Sequence, residues 1–221
     1  ASVNDAAWLR DQFARAGNAE IGVGFITWLM EQQPDLLPLA LERKPKAVML
    51  SFGDHTPHVE AIKAAGSLLV CQVQTLAQAL TAAETGADII VAQGQEAGGH
   101  GMTARGTMTL APAIVDALGG DIPVVAAGGI ADGRGLAAAL MLGCSGVLMG
   151  TRFVASRESV WPDAKKAAVV AAKGDDTIRT VVFDILRRRT TWPGAFDGRG
   201  LRNPQTDRWH GNEAALYEVL D

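Results

Sequence analysis

Asp88-Ile-Ile-Val-Ala-Gln-Gly-Gln-Glu-Ala-Gly-Gly-His100 is the stretch on which the fold turns. An apolar run over residues 89–92 stops abruptly in small and polar residues. A buried parallel strand reads this way when it delivers its C-terminal end to a ligand. Gly94, Gly98 and Gly99 follow, and glycine lets a backbone take positive φ or approach a bound molecule closely. His100 closes the loop as the candidate reactive group. A surface histidine on a solvated loop is the plainer alternative. Two later stretches weigh against it.

The rest of the chain repeats the pattern. Residues 21–27, 47–51, 68–73, 88–92, 123–127 and 146–149 are apolar runs ending in small or polar residues. Helical periodicity falls between them, over 33–43, 57–65, 76–85, 112–118 and 133–142, with a further amphipathic helix at 5–16 carrying Trp8, Leu9 and Phe13 on one face. Pro34 opens one of these helices, and Gly66, Gly86 and Gly143 close others. About six βα units without hairpin signals imply a parallel sheet with helices outside it.

A doubly wound sheet and a TIM barrel both fit that alternation. Glycine-rich and polar ends recur after nearly every strand, not at one switch point, and this favours the barrel. Gly22-Val-Gly24 lies within a strand, so no dinucleotide fingerprint opens the chain. The expected fold is therefore α/β, a TIM (β/α)8-type barrel with about six units visible and the first two expected before Ala1. Residues 1–160 are assigned to barrel units. Residues 161–221, with Trp192-Pro193 and Asp197-Gly198, read as helices and an irregular tail packing on the barrel as a lid.

Composition narrows the function classes. The chain has 221 residues, 48% of them hydrophobic, enough to bury a large core as one domain. A net charge of −4 without a basic block argues against nucleic acid and anionic membranes. There is no apolar run long enough for a transmembrane helix and no signal-peptide pattern. Cys71 and Cys144 each lie in an apolar run and match no metal spacing, so we read two reduced, buried thiols in a cytoplasmic protein. No metal site is expected.

The two later stretches are Pro123-Val-Val-Ala-Ala-Gly-Gly-Ile-Ala-Asp-Gly-Arg-Gly135 and Gly146-Val-Leu-Met-Gly-Thr-Arg-Phe153. Each is an apolar strand whose end exposes backbone amides beside glycines. The loops after the last two strands of a barrel commonly bind phosphate. Unhindered N–H groups suit a dianion, and Thr151 can add a hydroxyl donor.

Together, Gln93-Gly-Gln-Glu-Ala-Gly-Gly-His100, Ala126-Ala-Gly-Gly-Ile-Ala-Asp-Gly-Arg-Gly135 and Met149-Gly-Thr-Arg-Phe153 resemble the nitronate monooxygenases, formerly called 2-nitropropane dioxygenases. The likeness extends through Val181-Val-Phe-Asp184 to Trp209-His-Gly211. It implies an FMN-dependent barrel that oxidises alkyl nitronates or nitroalkanes with O2 to a carbonyl compound and nitrite. By the same resemblance, Gly128, Gly129, Met149, Gly150 and Thr151 form the backbone cradle for the FMN phosphate. Gln93 and Gly98 match positions that contact the flavin, Gln72 faces its ring, and His100 is the catalytic base. Imidazole suits that task because it titrates near neutrality. The implied partners are a small nitronate or nitroalkane and O2, with a homodimer left open.

Two features depart from the family. Its opening strand ending in Ala-Pro-Met and the glycine-rich strand after it are absent from this sequence. Gly22-Val-Gly24 stands where the following strand often carries a flavin-contacting Asn. Two alternatives therefore stay open: an FMN-dependent enoyl-acyl-carrier-protein reductase using NAD(P)H, and an inactive barrel fragment. His55 and His58 are read as surface residues opening a helix, and His210 as a packing or capping residue. Arg187-Arg-Arg189 is read as a solvated face, with docking of the tail as the lesser option. The carboxylate of Glu96 is left to orient either His100 or its loop.

Overall fold

The computed structural model describes residues 5–188 and 191–220. The chain opens with α1 (Ala6–Ala16), whose N-cap Asp5 accepts the Trp8 amide at 2.8 Å. Leu9 and Phe13 are buried on it, whereas Trp8 is 40% exposed, so the apolar face is narrower than the periodicity suggests. Then come β1 (Gly22–Ile26), α2 (Thr27–Met30), α3 (Leu36–Leu41), β2 (Ala47–Ser51), α4 (Val59–Ala64), β3 (Leu68–Val73), α5 (Leu76–Glu84) and β4 (Ile89–Gln93). After these follow β5 (Gly99–Gly101), α6 (Thr107–Leu118), β6 (Val124–Ala127), α7 (Gly133–Met141), β7 (Gly146–Leu148) and α8 (Thr151–Val154). The last part holds α9 (Asp163–Ala171), β8 (Thr177–Thr180), α10 (Val182–Leu186), β9 (Asp197–Leu201), α11 (Pro204–Trp209) and α12 (Glu213–Leu220).

Six strands form one parallel sheet in the order β1-β2-β3-β4-β6-β7. Strand order follows chain order from end to end, with no reversal. That succession is the barrel type; a doubly wound sheet reverses at its switch point. The expected α/β barrel architecture and its six parallel strands are therefore observed.

Pairing register and the two-residue period of a strand sort the side chains onto two faces. Val48, Leu50, Leu69, Cys71, Ile90, Ala92, Val124 and Ala126 lie on the outer face and join Ile62, Ala79, Leu110, Ile114 and Ala139 from the helices in one core. Each large side chain buried there contributes about 1.5–3 kcal/mol. Cys71 and Cys144 are free thiols within it, and burial, helped by Asp88, pushes Cys71 up to about 12. Both thiols are thus inert packing groups.

The inner face carries Ser51, Gln72 and Val91 side by side, with Gln93, Ala127 and Leu148 in the next row. The polar members sit at the C-terminal ends of their strands. That end of the sheet is where the site is built.

Three differences from the sequence reading have local causes. Residues 33–43 yield only the short α3, because the chain first makes the turn of α2 directly after β1. Helix α6 starts at Thr107, five residues before the expected 112, and keeps Pro112 inside it. Its start is fixed by Glu96, whose carboxylate accepts the Thr107 amide at 2.9 and 3.1 Å. A carboxylate supplied from eleven residues upstream leaves no local capping signal. Residues 161–221 also contribute two strands, β8 and β9, which join β5 in a small antiparallel sheet ordered β5-β9-β8. No helix among the described residues is long and apolar enough to cross a membrane.

Candidate active site

The His100 loop leaves β4 and is held from three directions. At its base Gln95 donates its amide to the Arg105 carbonyl at 2.9 Å. On one flank β5 pairs antiparallel with β9, setting His100 opposite Gly198. Across the small sheet, the Arg179 side chain is 8% exposed and reaches back into the loop. Its Nη1 donates to the Gly101 carbonyl and to Asp197, and its Nη2 donates to the Gln95 carbonyl at 2.9 Å. A cation that gathers several carbonyls and one carboxylate rigidifies them together. The C-terminal segment is therefore built into the walls of this loop.

His100 itself is clamped. Its Nε2 lies 2.9 Å from Asp184 Oδ2, and the Asp184 side chain is 7% exposed. One face of the imidazole stacks on Trp192, with ring centroids 3.6 Å apart and planes 8° from parallel. Trp192 in turn meets Trp28 and Phe52 edge-on at 5.3 Å, and Phe52 meets Phe196 likewise. Residues from the turns after β1 and β2 and from the C-terminal segment thus make one aromatic wall behind His100. Such edge-to-face pairs add about 0.5–1.5 kcal/mol each beyond burial.

The glycine cradle lies at the neighbouring strand ends. Gly128 and Gly129 have φ of +109° and +71°, a region that side chains rarely adopt. A Cβ at Gly128 would come within 3.0 Å of the Ala97 amide nitrogen and of Thr107 Oγ1, so this turn nests directly against the His100 loop. Gly150 has open space around it. Thr151 is exposed, and a Cβ at Gly98 would sit 2.8 Å from its hydroxyl. The His100 loop and the cradle therefore meet at Gly98 and Thr151. The positive-φ turn at Gly128 and Gly129, the open backbone at Gly150 and the exposed Thr151 hydroxyl make a shelf that can receive a phosphate dianion.

The remaining sequence candidates fall into place around this shelf. Gln72 lies half-buried on the inner face between Ser51 and Val91. Gln93 is 7% exposed and both ends of its amide are engaged: Nε2 donates to the His100 carbonyl at 3.1 Å, and Oε1 accepts from Gln74 Nε2 at 2.8 Å. Gln93 thereby anchors the His100 loop. Met149 follows directly after β7, on the approach to Gly150. Glu96 turns away from His100 and serves α6. Asp184, within the Val181-Val-Phe-Asp184 stretch, and Trp192, Arg179 and Gln74 were given no role in the sequence reading; each acts from a distant part of the chain.

The other histidines separate cleanly. His55 is 9% exposed, not a surface residue, and its Nε2 lies 2.6 Å from Thr85 Oγ1. The Thr85 hydroxyl donates to the Thr81 carbonyl, which leaves its lone pair to accept from His55 Nε2–H. His210 caps the end of α11, with Nδ1 3.8 Å from Glu213. In the arginine cluster Arg188 donates to the Leu220 carbonyl, tying down the tail, and Arg187 lies over the Phe183 ring; Arg189 is outside the described residues.

Burial holds His55 below the usual imidazole range. In the unfolded chain it regains a value near ~6.5, so the unfolded state binds more protons as the solution is acidified. The resulting stability is complete above that value and is lost as pH falls through the folded one. The urea midpoint should therefore drop as the solution is acidified below about pH 6.5, and His55→Gln should flatten that part of the profile. Identical profiles for the two proteins would show that His55 is not held neutral.

With the geometry established, known proteins provide the comparison. The family model described as nitronate monooxygenase matches residues 2–193. A nitronate monooxygenase of Neurospora crassa is 36% identical over 213 residues, covering 85% of this chain and 56% of the relative. A nitronate monooxygenase of Metarhizium robertsii is 41% identical over 211 residues, covering 89% and 58%. The chain thus spans little more than half the length of these relatives. Among solved structures, FabK from Thermotoga maritima superposes with a TM-score of 0.82 at 31% identity, covering 99% of this chain and 68% of that one. On the family match over most of its length, the chain belongs to the nitronate monooxygenase family.

Proposed function

We propose that this chain is the FMN-binding, base-carrying part of an enzyme that oxidises alkyl nitronates or nitroalkanes with O2, giving a carbonyl compound and nitrite. The observation that carries the reading is the junction of two loops. A clamped histidine, His100, stands beside a glycine shelf suited to phosphate, and the two meet at Gly98 and Thr151. FMN, when bound, supplies the electron transfer between nitronate and O2.

The residues of the chain supply the rest. The amides of Gly128, Gly129, Met149 and Gly150 and the hydroxyl of Thr151 would hold the phosphate. Gly98 lets the His100 loop close on that shelf without a clash, and Gln72 faces the ring from the inner side of the sheet. His100 removes the α-proton of a neutral nitroalkane, which the nitro group makes acidic enough for an imidazole. Gln93 keeps the loop at the height at which His100 works. The aromatic wall of Trp28, Phe52, Trp192 and Phe196 excludes water from one side of that imidazole. We assign residues 1–160 to the barrel and 161–221 to a segment that completes the His100 side of the site.

The likeness to FabK supports a second reading, an FMN-dependent enoyl-acyl-carrier-protein reductase drawing hydride from NAD(P)H. An oxygen electrode separates the two. With propyl nitronate, O2 uptake accompanied by nitrite is the expected result. NADPH oxidation driven by an enoyl thioester, with no O2 uptake on nitronate, would replace the monooxygenase reading by the reductase.

A further inference from the structure

We propose that Asp184 is a positioning residue that fixes His100 as the Nε2–H tautomer, which makes Nδ1 the nitrogen that takes up the substrate proton. The inference deepens the proposed function and rests on His100 being the base.

Three observations lead to it. First, Asp184 is buried on α10 between Val182 and Ile185, which pack with Trp209 and Leu216 in a separate apolar cluster. A carboxylate in such surroundings persists only when paired, and among the described residues the one side chain bonded to it is His100, at 2.9 Å. A carboxylate accepts and does not donate, so the nitrogen facing it carries the hydrogen. Second, that assignment leaves Nδ1 with a free lone pair, and among the described residues Nδ1 has no hydrogen-bond partner. Third, Trp192 lies flat against one face of the ring, 3.6 Å away. With one edge held by Asp184 and one face by Trp192, the ring cannot turn to exchange its nitrogens without breaking both contacts.

The chemistry follows in balance. The α-C–H bond of a nitroalkane breaks and an Nδ1–H bond forms. The electron pair of the broken bond moves into the carbon–nitrogen bond of the nitronate, placing negative charge on its oxygens. His100 becomes an imidazolium whose Nε2–H still points at Asp184, so the charge formed in the step meets a fixed opposite charge. Returning the proton from Nδ1 to water restores the starting tautomer. The nitronate anion, which has already lost this proton, does not need the step.

The test needs both a direct and a kinetic readout. Multiple-bond 1H–15N spectra of the labelled protein as purified, with His100→Gln to assign the signal among four histidines, report which nitrogen bears hydrogen. With the imidazole neutral at alkaline pH, a protonated Nε2 and a bare Nδ1 are expected. In Asp184→Asn the amide can donate as well as accept, so the signal should move toward the other tautomer. Turnover of neutral nitroethane should fall about 10²- to 10⁴-fold in that variant, whereas turnover of preformed nitronate should change less than about threefold. A merely structural role for Asp184 would lower both substrates together, and that result overturns the proposal. So does a hydrogen on Nδ1 in the parent protein, a measurement that does not depend on any variant folding. If the parent turns over neither substrate, the proposed activity itself fails, and the spectrum alone decides the tautomer.

Discussion

His100→Ala is expected to retain flavin and to lose about 10²- to 10⁴-fold in turnover of neutral nitroalkanes, the usual contribution of a positioned general base. Flavin should stay because His100 takes no part in the shelf of Gly128, Gly129, Gly150 and Thr151, and because the loop is anchored by Gln93, Arg179 and the backbone pairing of β5 with β9. The rate should fall because the other imidazoles are placed elsewhere: His55 is engaged with Thr85, His58 stands at the start of α4 and His210 caps α11. The substitution also strands the buried Asp184 without a partner, at a cost of roughly 3–5 kcal/mol for breaking a buried pair. His100→Gln is therefore the companion variant, since its amide nitrogen reaches the position of Nε2 and can still donate to Asp184 while offering no usable base. Loss of turnover in both variants with flavin retained is the expected pattern. Activity within a few-fold of the parent in His100→Gln would remove His100 from the base role.

Gly150→Asp should abolish flavin retention while leaving the fold intact. Gly150 has φ of −104°, ordinary for any residue, and nothing lies within 4 Å of where its Cβ would be. The side chain is thus free of backbone strain, and its only effect is to bring a carboxylate to the shelf proposed to receive a phosphate. Two like charges at about 4 Å repel by ~4 kcal/mol near a protein surface, enough to weaken binding by nearly three orders of magnitude. Gly129→Asp would act in the same direction but would add strain, because Gly129 has φ of +71° and a Cβ there would sit 3.3 Å from Glu96 Cβ. Gly150 is the cleaner probe for that reason. Full flavin occupancy in Gly150→Asp, with an unchanged denaturation midpoint, would place the phosphate elsewhere.

The large sheet was legible because each of its strands is a short apolar run cut off by glycine or a polar residue. A strand buried on its helix-packed face writes itself into the sequence in that way, and residues 47–51 and 68–73 match β2 and β3 end to end. The glycine turn after β6 was legible for a related reason, since positive φ at Gly128 and Gly129 favours glycine. The small sheet was not. Gly-His-Gly in β5, Thr-Ile-Arg-Thr in β8 and Asp-Gly-Arg-Gly-Leu in β9 are too short and too polar to show alternation, and only their mutual pairing makes them strands. The partners of His100 were hidden by distance along the chain. Asp184 is 84 residues away, in a segment that reads as a tail. Nothing local marks an aspartate on a five-residue helix as the partner of a histidine on β5. The burial of His55 was missed in the same manner, because the threonine that receives it lies 30 residues downstream.

The most direct test of the account is the visible spectrum of the purified protein during anaerobic addition of propyl nitronate. A flavin band that bleaches on nitronate, returns on admitting O2 and does not respond to NADPH alone is the result expected of this site. A band bleached by NADPH and indifferent to nitronate, or no flavin band after reconstitution with FMN, would contradict it.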